Sequence, residues 1–220
     1  MSYETSDTLK NSIRKGTTTV GIVCSDGVVL AADKRTTLGG QIVSYKRVEK
    51  VRRVTDNIAL TLAGSVSDAE LVIKLLKAEL KLKTIRSGNE PTVNEAANLL
   101  GSLVYQNVRQ FRTIIAITGF LIAGVDHNGY HLYDIGVDGS VVKRDDYTTD
   151  GSGMMFATGV FETLYHKDIK VNEGMSVAVK AINAAIQRDT ASGEGVDVWT
   201  ITKAGAQKVF TKQIERKLEL

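Results

Sequence analysis

The stretch Gly16-Thr17-Thr18-Thr19-Val20-Gly21, taken together with Asp33 downstream, decides how this chain is read. If the chain is cut between Gly16 and Thr17, a threonine becomes the first residue and supplies both a hydroxyl and a free α-amine. A threonine hydroxyl is a poor nucleophile until a base sits beside it, and a terminal amine with an unperturbed pKa of about 7.7–8.0 is such a base. Taken alone, the run has a plainer reading: threonine is β-branched, and Thr-Thr-Thr-Val suits a strand. The rest of the chain decides between the two.

Composition narrows the class. The 220 residues suffice for one well-cored domain or two small ones. At 43% hydrophobic and 24% charged, the chain falls within the range of soluble globular proteins. The longest apolar run, Ile114 to Val125, is broken by Thr118 and Gly119 and falls short of the ~20 residues a membrane helix needs. Residues 1–16 carry Glu4, Asp7 and scattered Lys and Arg around no apolar centre, so they do not read as a secretory signal. The net charge of +3 comes without a dense basic stripe. Arg47, Lys50, Arg52 and Arg53 alternate with Val48, Val51 and Val54, which reads as a strand with one wet face, and no nucleic acid partner is expected. The single cysteine, Cys24, follows Gly21-Ile22-Val23 and reads as a buried, inert thiol in a reducing cytoplasm. His127, His131 and His166 make no metal-spaced pair, and neither metal nor cofactor is expected. Asp126-His127-Asn128-Gly129 is better read as a hairpin turn than as a calcium loop. Without a Gly-x-Ser-x-Gly or a phosphate-cradling loop, the chain is not expected to hydrolyse ATP itself.

One proline, Pro91, and no Ser/Gly/Pro-rich linker argue for a single domain. Strands are expected at Thr18–Cys24, Val28–Asp33, through Ile42–Val43, and at Ile58–Ala63, with Asp26-Gly27 as a hairpin turn. Ser67-Asp68-Ala69-Glu70 has capping-box form and opens a helix through Leu71, Leu75, Ala78 and Leu82. Thr92-Val93-Asn94-Glu95 opens a second helix through Val104. Strands return at Ile114–Val125, His131–Val137 and Val141–Arg144, then helices at Gly153–Tyr165 and Glu173–Arg188. Strands at Val196–Thr202 and Lys208–Thr211 close the chain. This α+β order fits two sheets packed face to face with a helix pair outside each, although simple α/β layering gives the same pattern.

Five segments, in order, resemble the β-subunit of the 20S proteasome, archaeal type. They are Gly16–Gly21, Ala31-Ala32-Asp33-Lys34-Arg35, Ala63-Gly64-Ser65-Val66-Ser67-Asp68, Gly151-Ser152-Gly153 and Arg188-Asp189-Thr190-Ala191-Ser192-Gly193. The resemblance runs from Gly16 to about Ile214. It implies the four-layer αββα sandwich of N-terminal-nucleophile hydrolases and a threonine endopeptidase. Residues 1–16 would be a propeptide removed by autocleavage between Gly16 and Thr17, leaving 17–220 as the catalytic domain. The implied assembly has α-subunits and other β-subunits in four stacked seven-membered rings. It is fed unfolded protein by a regulatory ATPase and sits in the cytoplasm.

By resemblance, Thr17 is the nucleophile and its amine the proton carrier. Asp33 pairs with a buried lysine. Asp189, Ser192 and Ser152 bond the nucleophile and the amine, and the Gly64 N–H stabilises the oxyanion. Residue by residue, plainer readings remain: Asp33 as a strand-end turn residue, Asp189 and Ser192 as helix-end turn chemistry, and Ser152 as the lead into an N-cap. Thr18 and Thr19 read as structural. The lysine is read as Lys50, with Lys46 as runner-up: Lys50 matches the Lys-apolar pattern and leaves Val51 and Val54 in strand register, although it lies one residue farther from Asp33 than the family's spacing, with an insertion near Tyr45. Thr37 resembles a residue whose backbone pairs with substrate, and Thr36, Val48, Leu62 and Val66 would line an uncharged pocket favouring apolar residues before the cut. Asp150 departs from the small or Thr residue expected there. A non-catalytic structural β-subunit of the same ring is the alternative.

Overall fold

Successive side chains of a strand face opposite sides of its sheet, and in this chain both sides are apolar. In the run Gly27–Asp33, Val29 and Ala31 face one way and Val28, Leu30 and Ala32 the other, and all five are fully buried. In Thr118–Asp126, Phe120 and Ile122 likewise oppose Leu121 and Ala123. An antiparallel strand with no wet face must lie between two apolar layers, which requires a sheet covered on both sides.

The computed structural model describes residues 16–38, 42–110 and 117–214. All but the last residue of the expected propeptide, and residues 114–116 of the expected strand, lie outside them. In chain order the elements are β1 (Thr18–Cys24), β2 (Gly27–Asp33), β3 (Thr36–Leu38), β4 (Ile42–Tyr45), β5 (Val51–Arg53) and β6 (Ile58–Gly64). Next come α1 (Val66–Ser87), α2 (Val93–Val108), β7 (Thr118–Asp126), β8 (Gly129–Ile135), β9 (Val141–Arg144) and β10 (Tyr147–Gly151). The helices α3 (Met154–Leu164) and α4 (Val171–Arg188) and the strands β11 (Gly195–Thr202) and β12 (Gly205–Gln213) complete the set.

Two five-stranded antiparallel sheets, β10-β1-β2-β11-β12 and β5-β6-β7-β8-β9, pack face to face. Between them lie Val28, Leu30, Ala32, Leu121, Ala123 and Leu132. The helices α3 and α4 cover the outer face of the first sheet through Phe161, Val177, Ala181 and Ile182, against Val20, Ile22 and Val29. The other pair, α1 and α2, covers the second through Leu76, Leu80, Leu100 and Val104, against Leu60, Phe120 and Ile122. Full burial of one such Leu or Phe stabilises by about 1.5–3 kcal/mol. The three apolar layers make the four-layer αββα sandwich. Among the described residues, no helix is long and apolar enough to cross a membrane.

Three local expectations need correction. The strand read through 47–54 with Lys50 on a wet face is confined to Val51–Arg53, and the Lys50 side chain is 2% exposed. α1 begins at Val66 rather than after Ser67: Ser65 is its N-cap residue, and the Ser65 hydroxyl bonds the Asp68 carboxylate at 2.5 Å instead of a backbone amide. Ser67 therefore lies in the first turn. β10 is an additional strand that carries no apolar alternation, because its place is set by backbone pairing to β1, with Thr18 opposite Gly151 and Thr19 opposite Asp150. The second capping box forms as expected: the Glu95 amide donates to the Thr92 hydroxyl at 3.2 Å, and the Thr92 amide donates to the Glu95 carboxylate at 2.9 Å.

Candidate active site

The antiparallel pairing of β1 with β2 sets Thr19 opposite Ala32, so the end of β2 lies beside the start of β1. Asp33, at that end, is fully buried. Its Oδ1 accepts from the Thr18 amide at 2.9 Å and from Lys50 Nζ at 2.7 Å. Its Oδ2 accepts from the amides of Arg35 at 3.0 Å and Gly193 at 2.9 Å. Four donors satisfy a carboxylate that burial would otherwise penalise.

Lys50 stands one residue before β5, and its carbonyl accepts from the Leu62 amide at 2.9 Å. The side chain is 2% exposed and its ammonium also reaches the Gly16 carbonyl at 3.2 Å. Burial lowers the Lys50 pKa from its ordinary 10.5, against the opposing charge and hydrogen bond of Asp33. Lys46 is exposed, with its carbonyl accepting from Gln213 Nε2. Of the two candidate lysines, Lys50 is the one beside Asp33.

A second cluster comes from the C-terminal end of α4 and the turn after β10. Asp189 caps α4, and its Oδ2 accepts from the hydroxyls of Ser152 and Ser192, each at 2.6 Å. A hydroxyl carries one proton. Ser152, having donated to Asp189, is left to accept from the Thr17 N–H at 3.3 Å. Ser192, likewise committed, accepts from the Thr18 hydroxyl at 2.7 Å. The Thr17 side chain lies between the clusters, buried, its hydroxyl donating to the Gly16 carbonyl at 2.5 Å. The close approach depends on Gly151, whose φ is +101°; a Cβ there would lie 2.1 Å from the Thr17 carbonyl oxygen.

The remaining expected residues occupy more varied places. Gly64 ends β6 at φ +108°, where a Cβ would meet the Ile117 carbonyl oxygen at 2.1 Å, so packing alone requires glycine. Thr36 and Thr37 are half-buried on β3, and a Cβ on Gly16 would press on the Thr37 hydroxyl. Val48 is half-buried with its amide on the Lys34 carbonyl, and Val66 is half-buried at the start of α1. Leu62 is closed off in the core facing α1 and α2. The Asp150 carboxylate accepts from the Gly151 amide and lies against Gly119 of β7.

Sequence reasoning passed over Thr18 and Arg35. Thr18 touches both clusters, through its amide to Asp33 and its hydroxyl to Ser192. The Arg35 guanidinium holds the loop after α4, donating to the Thr190 carbonyl at 2.8 Å and to Glu194 at 2.9 Å. Both stand inside quoted motifs, which was the available signal. Among the described residues, no group of His, Cys, Asp and Glu is arranged to hold a metal.

Comparison with known proteins agrees with this geometry. A family model described as "Proteasome subunit" matches residues 13–201. The chain is 44% identical over 211 residues to a "Proteasome subunit beta" of Ferroglobus placidus, covering 96% of this chain and 98% of that one. It is 40% identical over 210 residues to the corresponding protein of Archaeoglobus profundus, covering 96% and 95%. A "Proteasome subunit beta 2" of Pyrococcus abyssi is 42% identical over 201 residues, covering 91% and 94%. The fold, the two clusters around Thr17 and these matches lead to one conclusion: the chain belongs to the proteasome β-subunit family.

Proposed function

We propose that the chain is a catalytic β-subunit, a threonine endopeptidase whose nucleophile is Thr17 after loss of residues 1–16. The observation that carries this reading is the convergence on Gly16-Thr17-Thr18 of a buried Lys50–Asp33 pair, through the Gly16 carbonyl and the Thr18 amide, and of the Asp189–Ser152–Ser192 group, through the Thr17 N–H and the Thr18 hydroxyl.

In the uncut chain, Thr17 Oγ1 attacks the carbonyl carbon of Gly16. The C–N bond breaks, the Gly16 acyl group passes to the hydroxyl oxygen, and the proton ends on the nitrogen, which becomes the α-amine. Water hydrolyses the ester and releases residues 1–16. The freed amine then faces Ser152 and Asp189, where it takes the hydroxyl proton through a bound water during attack on substrate and returns it to the leaving amine. The Lys50 ammonium raises the local positive potential and favours deprotonation of the hydroxyl, while Asp33 fixes its position. The Gly64 N–H serves the oxyanion. Thr37 pairs with the extended substrate, and the half-buried Thr36, Val48 and Val66 shape an uncharged pocket that favours apolar residues before the cut, while Leu62 stays in the core behind them.

The reading includes assembly with α-subunits and other β-subunits into stacked rings, supply of unfolded substrates by a regulatory ATPase, and a cytoplasmic setting. Exposed apolar side chains support assembly: Leu71, Leu75, Leu82 and Ile85 on α1, and Met154 and Met155 on α3. The test is Thr17→Ala in the assembled particle, which should keep its propeptide and lose peptide hydrolysis. Undiminished hydrolysis would overturn the proposal, and the particle would then be read as holding this chain in a structural role.

A further inference from the structure

The Lys50–Asp33 pair has a counterpart built from the residues next to it in the chain. Lys34 follows Asp33, and its ammonium meets Asp197 Oδ2 at 2.6 Å. Glu49 precedes Lys50, and its carboxylate meets Lys208 Nζ at 2.8 Å. The same Lys208 ammonium lies 3.3 Å from Asp197 Oδ1. Following the contacts from Lys50 to Asp33, along the backbone to Lys34, across to Asp197, on to Lys208 and Glu49, and along the backbone again returns to Lys50. The circuit is closed, its charges alternate, and its three lysines balance three carboxylates.

The burial is graded around it. The Asp33, Lys50 and Asp197 side chains are at most 2% exposed and Lys34 is 8% exposed, while Lys208 is 28% and Glu49 52% exposed. Thr211 adds a hydroxyl donor to Asp197. The segment 46–50 that presents Lys50 has no regular secondary structure of its own. The bonds that hold it include the Lys46 carbonyl to Gln213, the Val48 amide to Lys34, Glu49 to Lys208 and, at 3.3 Å, to Arg52, and the Lys50 carbonyl to Leu62. A lysine head on a long flexible stem does not choose one position unaided. Pairs that share a side chain, as at Asp197 and Lys208, each cost less conformational entropy than an isolated pair, and the backbone neighbours Asp33-Lys34 and Glu49-Lys50 carry that constraint to the Lys50–Asp33 pair.

We propose that Lys208, bridging Glu49 and Asp197, is a positioning residue that closes an ion ring and thereby holds Lys50 in register with Asp33 beside Thr17. The ring ties β12 and β11 to the irregular segment, so a change on the far strand reaches the site through Glu49. This inference rests on the proposed catalytic role of Lys50 for its effect on turnover, while its geometric part does not.

The test uses the full chain assembled into the particle, with Lys208→Met, Lys208→Arg and Glu49→Gln. For a fluorogenic peptide ending in an apolar residue, Lys208→Met and Glu49→Gln should each lower kcat roughly tenfold, less than the ~100-fold that a 1 Å misplacement can cost, with KM changed less than about twofold. Lys208→Arg should restore kcat to within about twofold, because it returns the charge to both carboxylates. A crystal structure of the Lys208→Met chain should show Lys50 Nζ withdrawn from Asp33. An active wild-type particle whose Lys208→Met variant keeps both kcat and the Lys50–Asp33 contact overturns the ring. A wild-type particle without peptidase activity overturns the functional reading instead, and the Lys50–Asp33 contact in the variant structure then decides the ring alone.

Discussion

The hydroxyls of Thr18 and Ser192 lie 2.7 Å apart although 174 residues separate them in the chain, and this contact fixes the proton order of the whole cluster. Because Ser192 donates to Asp189 at 2.6 Å, Thr18 must donate to Ser192. Asp189 is thereby left as an acceptor of two hydroxyl protons, held ready for the amine of a cut chain.

Thr18→Val keeps the β-branched shape and removes only that donor. The β1 strand should persist, while turnover falls about tenfold as Ser192 loses its orienting bond. Steady-state kinetics on assembled particles check this; wild-type kcat in the Thr18→Val variant would show that the proton order plays no part.

Lys50→Ala should lower peptide hydrolysis by at least about a hundredfold, whereas Lys46→Ala should change it less than about twofold. Only the Lys50 ammonium contacts Asp33, and Lys46 is exposed. Assembly is read first by size, since removing one partner of a buried pair can itself cost about 3–5 kcal/mol. Reversed effects in assembled particles would assign the site to Lys46.

Asp197 makes a pH-dependent contribution to stability. Burial raises its pKa, but hydrogen bonds from Lys34 and Thr211 and the charges of Lys34 and Lys208 outweigh this and hold it below the ordinary 3.8. A carboxylate depressed in the fold contributes stability that is fully present above its unfolded pKa and is lost as pH falls through the folded value. Asp197→Asn should therefore lower Tm near neutrality and show a shallower further loss below pH 3.8 than the wild type. Parallel Tm curves across that range would contradict the assignment.

Cys24 reports on the integrity of the first sheet. Burial pushes its thiol up from 9.0 to about 12, with the charges of Asp26 and Glu173 acting in the same direction. Iodoacetamide at neutral pH should leave the folded chain unlabelled and add a single mass increment after unfolding. Rapid labelling of the native chain would show that β1 opens readily.

The sandwich could be read from runs such as Val28–Ala32 and Phe120–Ala123, where continuous apolar residues signal strands buried on both faces. The strands β1 and β9 have the expected ends, whereas β8 runs Gly129–Ile135 instead of His131–Val137, because ladder pairing begins at the turn itself, with Gly129 opposite Asp126. Tyr147–Gly151 was missed because its side chains carry no alternation and its backbone pairing to β1 is non-local. Ser67 was mistaken for a cap because Ser65-Val66-Ser67-Asp68 offers the same spacing one turn fragment earlier. At the site, motif residues could be named, but spacing alone could not choose between Lys46 and Lys50, because the choice depends on which ammonium the fold buries. Thr18 looked like strand filler because its role lies in two contacts from distant parts of the chain. Lys208 and Asp197 belong to no motif, and only the pairing of β11 with β2 and β12 brings them beside Lys34 and Glu49.

The central claim is that Thr17 becomes an N-terminal nucleophile. Its most direct test is reaction of the assembled particle with a covalent threonine-directed inhibitor, followed by peptide mapping of this chain. The account predicts one adduct on a peptide that begins at Thr17, with no peptide spanning Gly16–Thr17. An adduct on any other residue, or a labelled peptide that still carries the Gly16–Thr17 bond, would contradict it.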